Sequence, residues 1–451
     1  MVASAESASA ARIARVRAAC EEAGIDAFYA RGTSNIAWLT AFDGVFDDEA
    51  AHALVVTSER AVLHTDSRYS LACEAAAQGT LIEVDATRRA HAEVAAEVAR
   101  AVAGAARAAA GDAHETAGGA HEAGDARETA SNAHDAANAA GEAASAGGCP
   151  EAARRFSLGI EDDMTLAEYR RLERAFAAGE DAAADSAGTT PAALARAAAP
   201  ASAPSSPLWA DLRETTNFVF GLRAVKDAGE IERMKAAQAI TDAAFDHIVA
   251  FMRPGMTERA VQIELEDFMR RHGAEDLAFS SIVATGANGA SPHAIPGGTV
   301  LEAGQCVVLD FGAKARGYCS DMTRTVFLGA PEGEMLRAWE TLRAANEAVE
   351  AAICPGVTGA EMHQLAEDIL AEGGFGGRMG HGLGHGVGMD IHEEPVLAPR
   401  NKELLVPGNV VTVEPGIYLP GKFGMRLEDF GVVTDDGFDV FTNSTHDLVV
   451  I

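Results

Sequence analysis

Four carboxylates and one histidine in the C-terminal half of the chain have the residue types and the spacing to hold divalent cations. They lie in the short motifs LDFG, SDMTRT, GHGVG, VEPG and RLED, and they are Asp310, Asp321, His385, Glu414 and Glu428. Carboxylate oxygens and imidazole nitrogens are the donors that hard and borderline divalent cations prefer. If these motifs converge in space, the sequence predicts a two-metal hydrolase.

A predicted hairpin in residues 306–328 brings the first two acids together. An apolar strand, CVVLDFG, is followed by a polar turn and a second strand, YCSDMTRTVFLG. The simplest register pairs Lys314 with Gly317, and it therefore predicts that Asp310 lies directly opposite Asp321.

A second predicted hairpin, in residues 410–433, repeats this arrangement. Centring its turn on Gly421 places Glu414 opposite Glu428. Directly opposed side chains have Cβ atoms about 4.5–5.5 Å apart, and like charges there are destabilising. Two opposed acid pairs beside strongly apolar strands therefore indicate cations between the carboxylates. The alternative is solvated acids on sheet faces, which are common in a chain this acidic.

Length and charge bound the class of protein. The chain has 451 residues, which favours two domains. With 36 Lys and Arg against 67 Asp and Glu, its net charge is −31, which argues against nucleic acid and membrane surfaces as partners. No transmembrane helix is expected, and the N-terminus is typical of a helix and not of a signal peptide. The six cysteines are scattered without a CxxC pair, which fits the reducing cytoplasm.

Composition and repeats predict how the chain is organised. Residues 1–220 form an N-terminal domain carrying low-complexity, Ala-rich insertions at about 101–155 and 177–206, and residues 221–451 form a catalytic domain. Within the second domain, RPGMTERAVQIELEDFMRRHG and CPGVTGAEMHQLAEDILAEGG share a layout of Pro-Gly, Thr and a helix ending at Gly. This indicates an internal duplication with a site between two pseudo-symmetric halves.

The C-terminal half resembles the pita-bread metallopeptidases, the family of methionine aminopeptidase, Xaa-Pro aminopeptidase, prolidase and creatinase. The motifs SPHAIP, LDFG, YCSDMTRT, GHGLGHGVGMDIHEEP, VTVEPGIY and MRLED run in family order across about 220–451. The N-terminal half is similar to the small domain of the Xaa-Pro enzymes in NIAWLTAF and HTDSRY, and LRAVKDAGEIERM resembles their interdomain join. The resemblance implies an α+β (α/β) fold, with a small creatinase-like domain before a pseudo-symmetric catalytic domain built on a curved antiparallel sheet.

The resemblance also implies a role for each acid. Asp321 would chelate one metal, Asp310 and Glu428 would bridge two, and His385 and Glu414 would complete the shells. Glu414 would also accept a proton from water and return it to the departing amine. Creatinase lacks this ligand set, so its presence here disfavours a metal-free role.

The tandem motif GHGLGHGVG leaves a choice of ligand between His381 and His385. In the family the ligand precedes the histidine of HEEP by seven positions, which selects His385. His381 is then a nearby non-ligand histidine, and the resemblance implies a catalytic role for it beside Glu414, His293 and His392. His293 and His392 match residues that contact the substrate and stabilise the oxyanion. Two further residues resemble groups that surround the glutamates and offset their charge, Tyr418 and Arg426.

The expected activity is that of an Xaa-Pro aminopeptidase, with prolidase, the Xaa-Pro dipeptidase, as the alternative, because both share every motif quoted. The implied cofactors are two divalent metal ions, Mn²⁺ first, with Co²⁺ or Zn²⁺ as alternatives. The implied partner is a peptide with proline at its second position, and the two-domain relatives imply a homodimer.

Two other classes are distinguishable by simple assays. A catalytically dead binding module would lack both bound metal and peptidase activity, and intact ligands argue against it. A methionine aminopeptidase would release Met from Met-Ala peptides, and the small N-terminal domain argues against it.

Overall fold

The computed structural model describes residues 5–47, 49–118, 155–178 and 210–451. The predicted insertions at about 101–155 and 177–206 lie outside these ranges except at their ends. No helix in these described ranges is long and apolar enough to cross a membrane.

The N-terminal domain is a six-stranded mixed sheet covered by helices on both faces. Its strand order is β4-β3-β2-β1-β5-β6, and the strands are β1 (Ala27–Ala30), β2 (His52–Thr57), β3 (Ala61–Thr65), β4 (Ile82–Asp85), β5 (Phe156–Glu161) and β6 (Ala210–Thr215). The helices are α1 (Ala5–Ala23), α2 (Thr33–Thr40), α3 (Ser70–Ala76), α4 (His91–Gly118) and α5 (Leu166–Ala177). Alternate residues of β1 face opposite cores, since Phe28 packs in one apolar cluster and Tyr29 in the other.

The C-terminal domain repeats one helix pair. Its helices are α6 (Phe218–Arg223), α7 (Ala228–Phe251), α8 (Glu258–Arg271), α9 (Gly333–Ala352) and α10 (Gly359–Glu372). Thr257 caps α8 and Thr358 caps α10, each accepting a hydrogen bond from a backbone N–H in the first turn. The glycines two residues earlier, Gly255 and Gly356, have φ of +96° and +93°. The predicted duplication is therefore confirmed down to its turns.

Antiparallel strands lie between these helix pairs. They are β7 (Asp276–Leu277), β8 (Ile282–Thr285), β9 (Cys306–Phe311), β10 (Ala313–Ala315), β11 (Tyr318–Cys319), β12 (Met322–Phe327), β13 (Gly384–Gly386), β14 (Glu393–Leu397), β15 (Val410–Val413), β16 (Gly416–Leu419), β17 (Phe423–Arg426), β18 (Asp429–Val433) and β19 (Phe438–Val440). The orders are β12-β9-β8, β14-β13-β15-β18-β19, β11-β10-β7 and β16-β17. A bridge between Thr323 and Glu428 joins the strands of the two halves.

The predicted register of the first hairpin is wrong by two residues. Lys314 pairs with Cys319, not with Gly317, and Asp310 lies opposite Thr323, not opposite Asp321. The two-residue turn lies one position later than expected because Arg316 and Gly317 both have positive φ, 51° and 77°, as a type I′ turn requires. A shift of two residues keeps each side chain on its face of the sheet, so the two acids remain diagonal neighbours.

The predicted register of the second hairpin is confirmed. Val413 pairs with Asp429 on one side of the acids, and Gly416 pairs with Arg426 on the other. The same register places Glu414 opposite Glu428 in the short gap between the two ladders.

A close backbone approach seats the loop before SPHAIP against β17. The 3₁₀ turn Gly286–Ala290 packs so tightly that a Cβ atom on Gly424 would overlap the carbonyl oxygen of Gly289. This contact fixes the path of the loop that carries His293 toward the acids.

Substituting alanine for Gly424 is expected to strain this contact, because backbone atoms cannot move aside as a flexible side chain can. Overpacking typically costs about 1–3 kcal/mol, so the thermal unfolding midpoint should fall by about 2 °C or more. Gly221→Ala is the matched control, since nothing lies within 4 Å of a Cβ atom there. Equal midpoints for the two variants would contradict this account of the loop.

Candidate metal centre

Five donor residues from both halves of the C-terminal domain converge on one buried point. Asp321, His385 and Glu428 each offer an atom within 4.8 Å of the others. Glu414 joins them, because its Oε1 lies 3.5 Å from Nε2 of His385. Asp310 is tied to the group through the guanidinium of Arg426. The structure thus brings together all five residues singled out in the sequence.

The His385 ring presents a lone pair to carboxylates. Its Nδ1 donates to the carbonyl oxygen of Gly386 at 3.0 Å, so its Nε2 carries no proton in the neutral ring. Burial lowers the pKa of His385 to about 4, which keeps the ring neutral. Nε2 lies 3.5 Å from Oδ2 of Asp321 and 3.5 Å from Oε1 of Glu414. With the carboxylates ionised, acceptors face acceptors here, an arrangement that a cation resolves.

The four acids are largely shielded from solvent. Burial raises the pKa of Glu414 to about 8, and burial together with neighbouring carboxylates raises the pKa of Asp321 and of Glu428 well above the usual range. Burial also raises the pKa of Asp310, although Arg426 opposes the shift. One guanidinium cannot balance four carboxylates, so the cluster has the excess negative charge that divalent cations would neutralise.

A chain of hydrogen bonds fixes Arg426 beside the cluster. Its Nη2 donates to Asp310, and its Nη1 donates to the hydroxyl of Tyr418 at 2.9 Å. The Tyr418 hydroxyl lies 3.1 Å from Nε2 of His381, whose Nδ1 donates to the carbonyl of Gly382 at 2.7 Å. The proton on Nδ1 leaves Nε2 as an acceptor, so Tyr418 donates to it. His381 therefore holds the Tyr418 hydroxyl in place, and Tyr418 in turn holds Arg426 beside the acids.

The other two predicted histidines differ in how firmly they are held. The ring of His392 lies 4.4 Å from the ring of His385, edge to face, and burial lowers the pKa of His392. His293 is exposed on the loop before β9, close enough for its charge to act on Asp310 and His392. Both rings thus border the cluster from the side open to solvent.

Two threonines that the sequence analysis missed hold the glutamates. Thr323 donates to Oε2 of Glu428 at 2.6 Å and accepts from Nε of Arg426 at 2.9 Å. The Thr412 hydroxyl accepts from the backbone N–H of His385 at 3.0 Å, and its hydrogen bond to Glu414 opposes the rise in that acid's pKa. Thr323 lies two residues after Asp321, and Thr412 lies two residues before Glu414, so each threonine shares a strand face with an acid. This spacing is the feature of the sequence from which the two threonines could have been found.

A buried ion-pair network joins the N-terminal domain to the strand that follows His392. Arg223 and Lys226 both bind the carboxylate of Glu393, and all three side chains are 1% exposed. Arg223 also donates to Oδ1 of Asn35 at 2.7 Å, and Asn35 donates to Glu161 at 2.7 Å. Arg223 and Lys226 belong to the segment LRAVKDAGEIERM, so this segment connects the two domains through buried ion pairs and hydrogen bonds as well as through the chain.

Two connected pockets lead away from the cluster. A cleft of about 770 Å³ lies between the domains, lined by Phe42 and Arg12 on one side and Arg233 and Tyr318 on the other. A pocket of about 360 Å³ shares Lys314 and other lining residues with it and reaches His392.

Among the described residues, Glu350, Asp429 and His446 form the one other group of this kind. Its geometry differs, because the two oxygens of Asp429 already accept hydrogen bonds from Arg324 at 2.6 Å and His446 at 2.7 Å. The cluster around His385 instead has one guanidinium beside four carboxylates. Its oxygen-rich set with one imidazole fits hard or borderline divalent cations.

Comparison with known proteins agrees with this chemistry. Residues 232–435 match Metallopeptidase family M24, and residues 12–122 match the Creatinase/Prolidase N-terminal domain. Among curated relatives, an uncharacterized peptidase of Bacillus subtilis is 43% identical over 54% of this chain and 69% of its own length. The Xaa-Pro dipeptidase of Lactobacillus delbrueckii subsp. lactis is 36% identical over 53% of this chain and 65% of its own length.

Solved structures cover nearly the whole chain. The Xaa-Pro dipeptidase from Bacillus anthracis has a TM-score of 0.75 at 30% identity, covering 98% of this chain and 100% of its own. The X-Pro aminopeptidase from Thermotoga maritima has a TM-score of 0.71 at 28% identity, with the same coverage. Dipeptidases predominate among these relatives, so the comparisons favour the alternative activity over the aminopeptidase. The chain belongs to Metallopeptidase family M24, with the creatinase/prolidase type of N-terminal domain.

Proposed function

We propose that this protein is an Xaa-Pro dipeptidase that hydrolyses the bond between a residue and a C-terminal proline with two divalent cations, Mn²⁺ first. One observation carries the proposal. Nε2 of His385 faces carboxylate oxygens of Asp321 and Glu414 at 3.5 Å, a spacing that suits donors grouped around a shared cation. Dipeptidases among the relatives support the substrate class.

In this proposal Asp310, Asp321, His385, Glu414 and Glu428 hold the cations. When bound, the two ions lower the pKa of water and polarise the scissile carbonyl. Their hard oxygen ligands suit Mn²⁺, and Co²⁺ or Zn²⁺ are the alternatives.

Glu414 moves the proton. Its Oε1 points to His385, and its Oε2 lies 3.9 Å from Nε of Arg426, on the far side of the carboxylate. Oε2 accepts the proton of the attacking water and delivers it to the proline nitrogen as the amide bond breaks. That nitrogen carries no hydrogen in the substrate, so it needs this proton to leave as an amine.

The histidines act on the substrate. His392, held against His385, donates a hydrogen bond to the oxygen that gains negative charge at the scissile carbon, and His293 closes the site from its exposed loop. Arg426 acts through Asp310, and Tyr418 and His381 hold the arginine in place.

Other features of the protein belong to the same proposal. We assign residues 1–220 and 221–451 to the two domains, a boundary that falls within α6, shortly after the first sheet ends at Thr215. A homodimer stays a prediction from the family resemblance. A cytoplasmic location is supported by free cysteines at the five cysteine positions that the structure describes.

Replacing Glu414 with alanine is expected to abolish dipeptide hydrolysis, because the proton acceptor and one cation donor are lost together. The expected fall in kcat/KM for Ala-Pro is about 10³-fold or more, measured with added Mn²⁺. Thermal unfolding should show an intact fold. Glu403→Ala, at an exposed position, is the matched control and should keep full activity. Full activity of the Glu414 variant, or of wild-type protein after exhaustive chelation, would refute the mechanism.

Substrate length separates the two candidate activities. With Mn²⁺ present, Ala-Pro should be cleaved with a kcat/KM at least about tenfold above that of Ala-Pro-Ala, because a dipeptide site gains a charged hydrogen bond to the terminal carboxylate. Amine release from both peptides is measured under identical conditions. A higher kcat/KM for Ala-Pro-Ala would contradict the dipeptidase proposal and favour an Xaa-Pro aminopeptidase.

A further inference from the structure

The 360 Å³ pocket borders the candidate metal centre through His392. His392 lies in its wall, and the ring of His392 is 4.4 Å from the ring of His385. Cys319, also in the wall, precedes Asp321 by two residues, at most about 7 Å along an extended chain. A group bound in this pocket therefore lies next to His392, on the side of the cluster.

Lys314 stands in the wall of this pocket at a position set by strand pairing. It lies opposite Asp276 of β7 on one side and opposite Cys319 of β11 on the other. Directly opposed residues of antiparallel strands share a face of the sheet, so all three side chains line the same wall.

The acids of this wall already have cationic partners. Asp276 pairs with Arg270 at 2.9 Å, and Asp390 pairs with the buried Arg223 at 2.8 Å. Within the described ranges, no ion pair or hydrogen bond engages the ammonium of Lys314. Lys314 is thus the free positive charge of the pocket.

Arg426, the basic residue closest to the acids, is not available to bind an anionic group of a ligand. Its Nη2 is bound to Asp310, its Nη1 to Tyr418, and its Nε to Thr323. Binding a further anion would require Arg426 to release one of these partners. An anionic substrate group therefore meets Lys314 as the available cation.

We propose that Lys314 is a specificity-determining residue that binds a carboxylate of the substrate. The proposal rests on the proposed peptidase function and names what that site selects. The carboxylate has two sources, the C-terminus of an Xaa-Pro dipeptide or an acidic side chain in the residue before proline. An ammonium forms a charge-assisted hydrogen bond with either. Lysine also suits a wall shared with a wide cleft, because its flexible stem carries the charge to the ligand.

The test compares Lys314→Met with Lys314→Arg and with Lys402→Met, a control at an exposed position. Substrates are Ala-Pro, its C-terminal amide, and Glu-Pro amide, all with Mn²⁺. Lys314→Met should raise KM by about tenfold for the substrate whose carboxylate Lys314 binds, with kcat nearly unchanged. Lys314→Arg should restore most of the affinity, and Lys402→Met should behave as wild type.

The substrates identify the source of the carboxylate. A raised KM for Ala-Pro but not for Ala-Pro amide assigns Lys314 to the C-terminus. A raised KM for Glu-Pro amide relative to Ala-Pro amide assigns it to the side chain. An equal effect on all three substrates, or none, overturns the proposal while leaving the peptidase function intact.

A binding measurement separates this proposal from the activity itself. Calorimetric titration of Ala-Pro and Glu-Pro amide is made in a Glu414→Ala background, where turnover is removed. Adding Lys314→Met should weaken binding of one of the two ligands about tenfold. If wild-type protein hydrolyses none of the peptides, the proposed function fails, and this titration still decides whether Lys314 binds a carboxylate. Unchanged binding of both ligands would overturn the proposal.

Discussion

Excess buried negative charge is the constraint on which the rest of the structure depends. Four carboxylates and a neutral imidazole meet in a largely buried site with one guanidinium beside them. Burying unpaired charges is far more costly than any single hydrogen bond can offset. The fold holds the carboxylate oxygens and the His385 nitrogen close together, so that bound cations can neutralise the buried charge. The paired helices and strands that frame the cluster give the donors the rigidity that such a site needs.

The same constraint explains why the two domains are coupled. His392 must border the cluster, and the residue after it, Glu393, is locked by Arg223 and Lys226 in a fully buried network. Through Asn35 this network reaches the N-terminal sheet. The small domain therefore helps to position His392 beside the cluster, besides forming one wall of the cleft.

Much of the site could be predicted from the sequence because its residues lie in strands with simple turns. Register alone placed Glu414 opposite Glu428. The first hairpin was displaced because Arg316 adopts a positive φ that an arginine rarely takes. The roles of Thr323 and Thr412 depend on side-chain hydrogen bonds across strands, and the pairing of Arg223 with Glu393 spans 170 positions. The ion pair follows from tertiary packing and leaves no local pattern, and the only local signal of the threonines is their two-residue spacing from an acid.

The central claim is that the convergent donors bind two divalent cations. Metal content of the Mn²⁺-loaded protein after desalting, measured by mass spectrometry together with chain concentration, tests it most directly. We expect about two ions per chain in the wild type, as a two-metal centre requires. A Glu428→Gln variant, which retains the side-chain volume but lacks the charge, should hold clearly fewer. Two retained ions in that variant, or none in the wild type, would contradict the account.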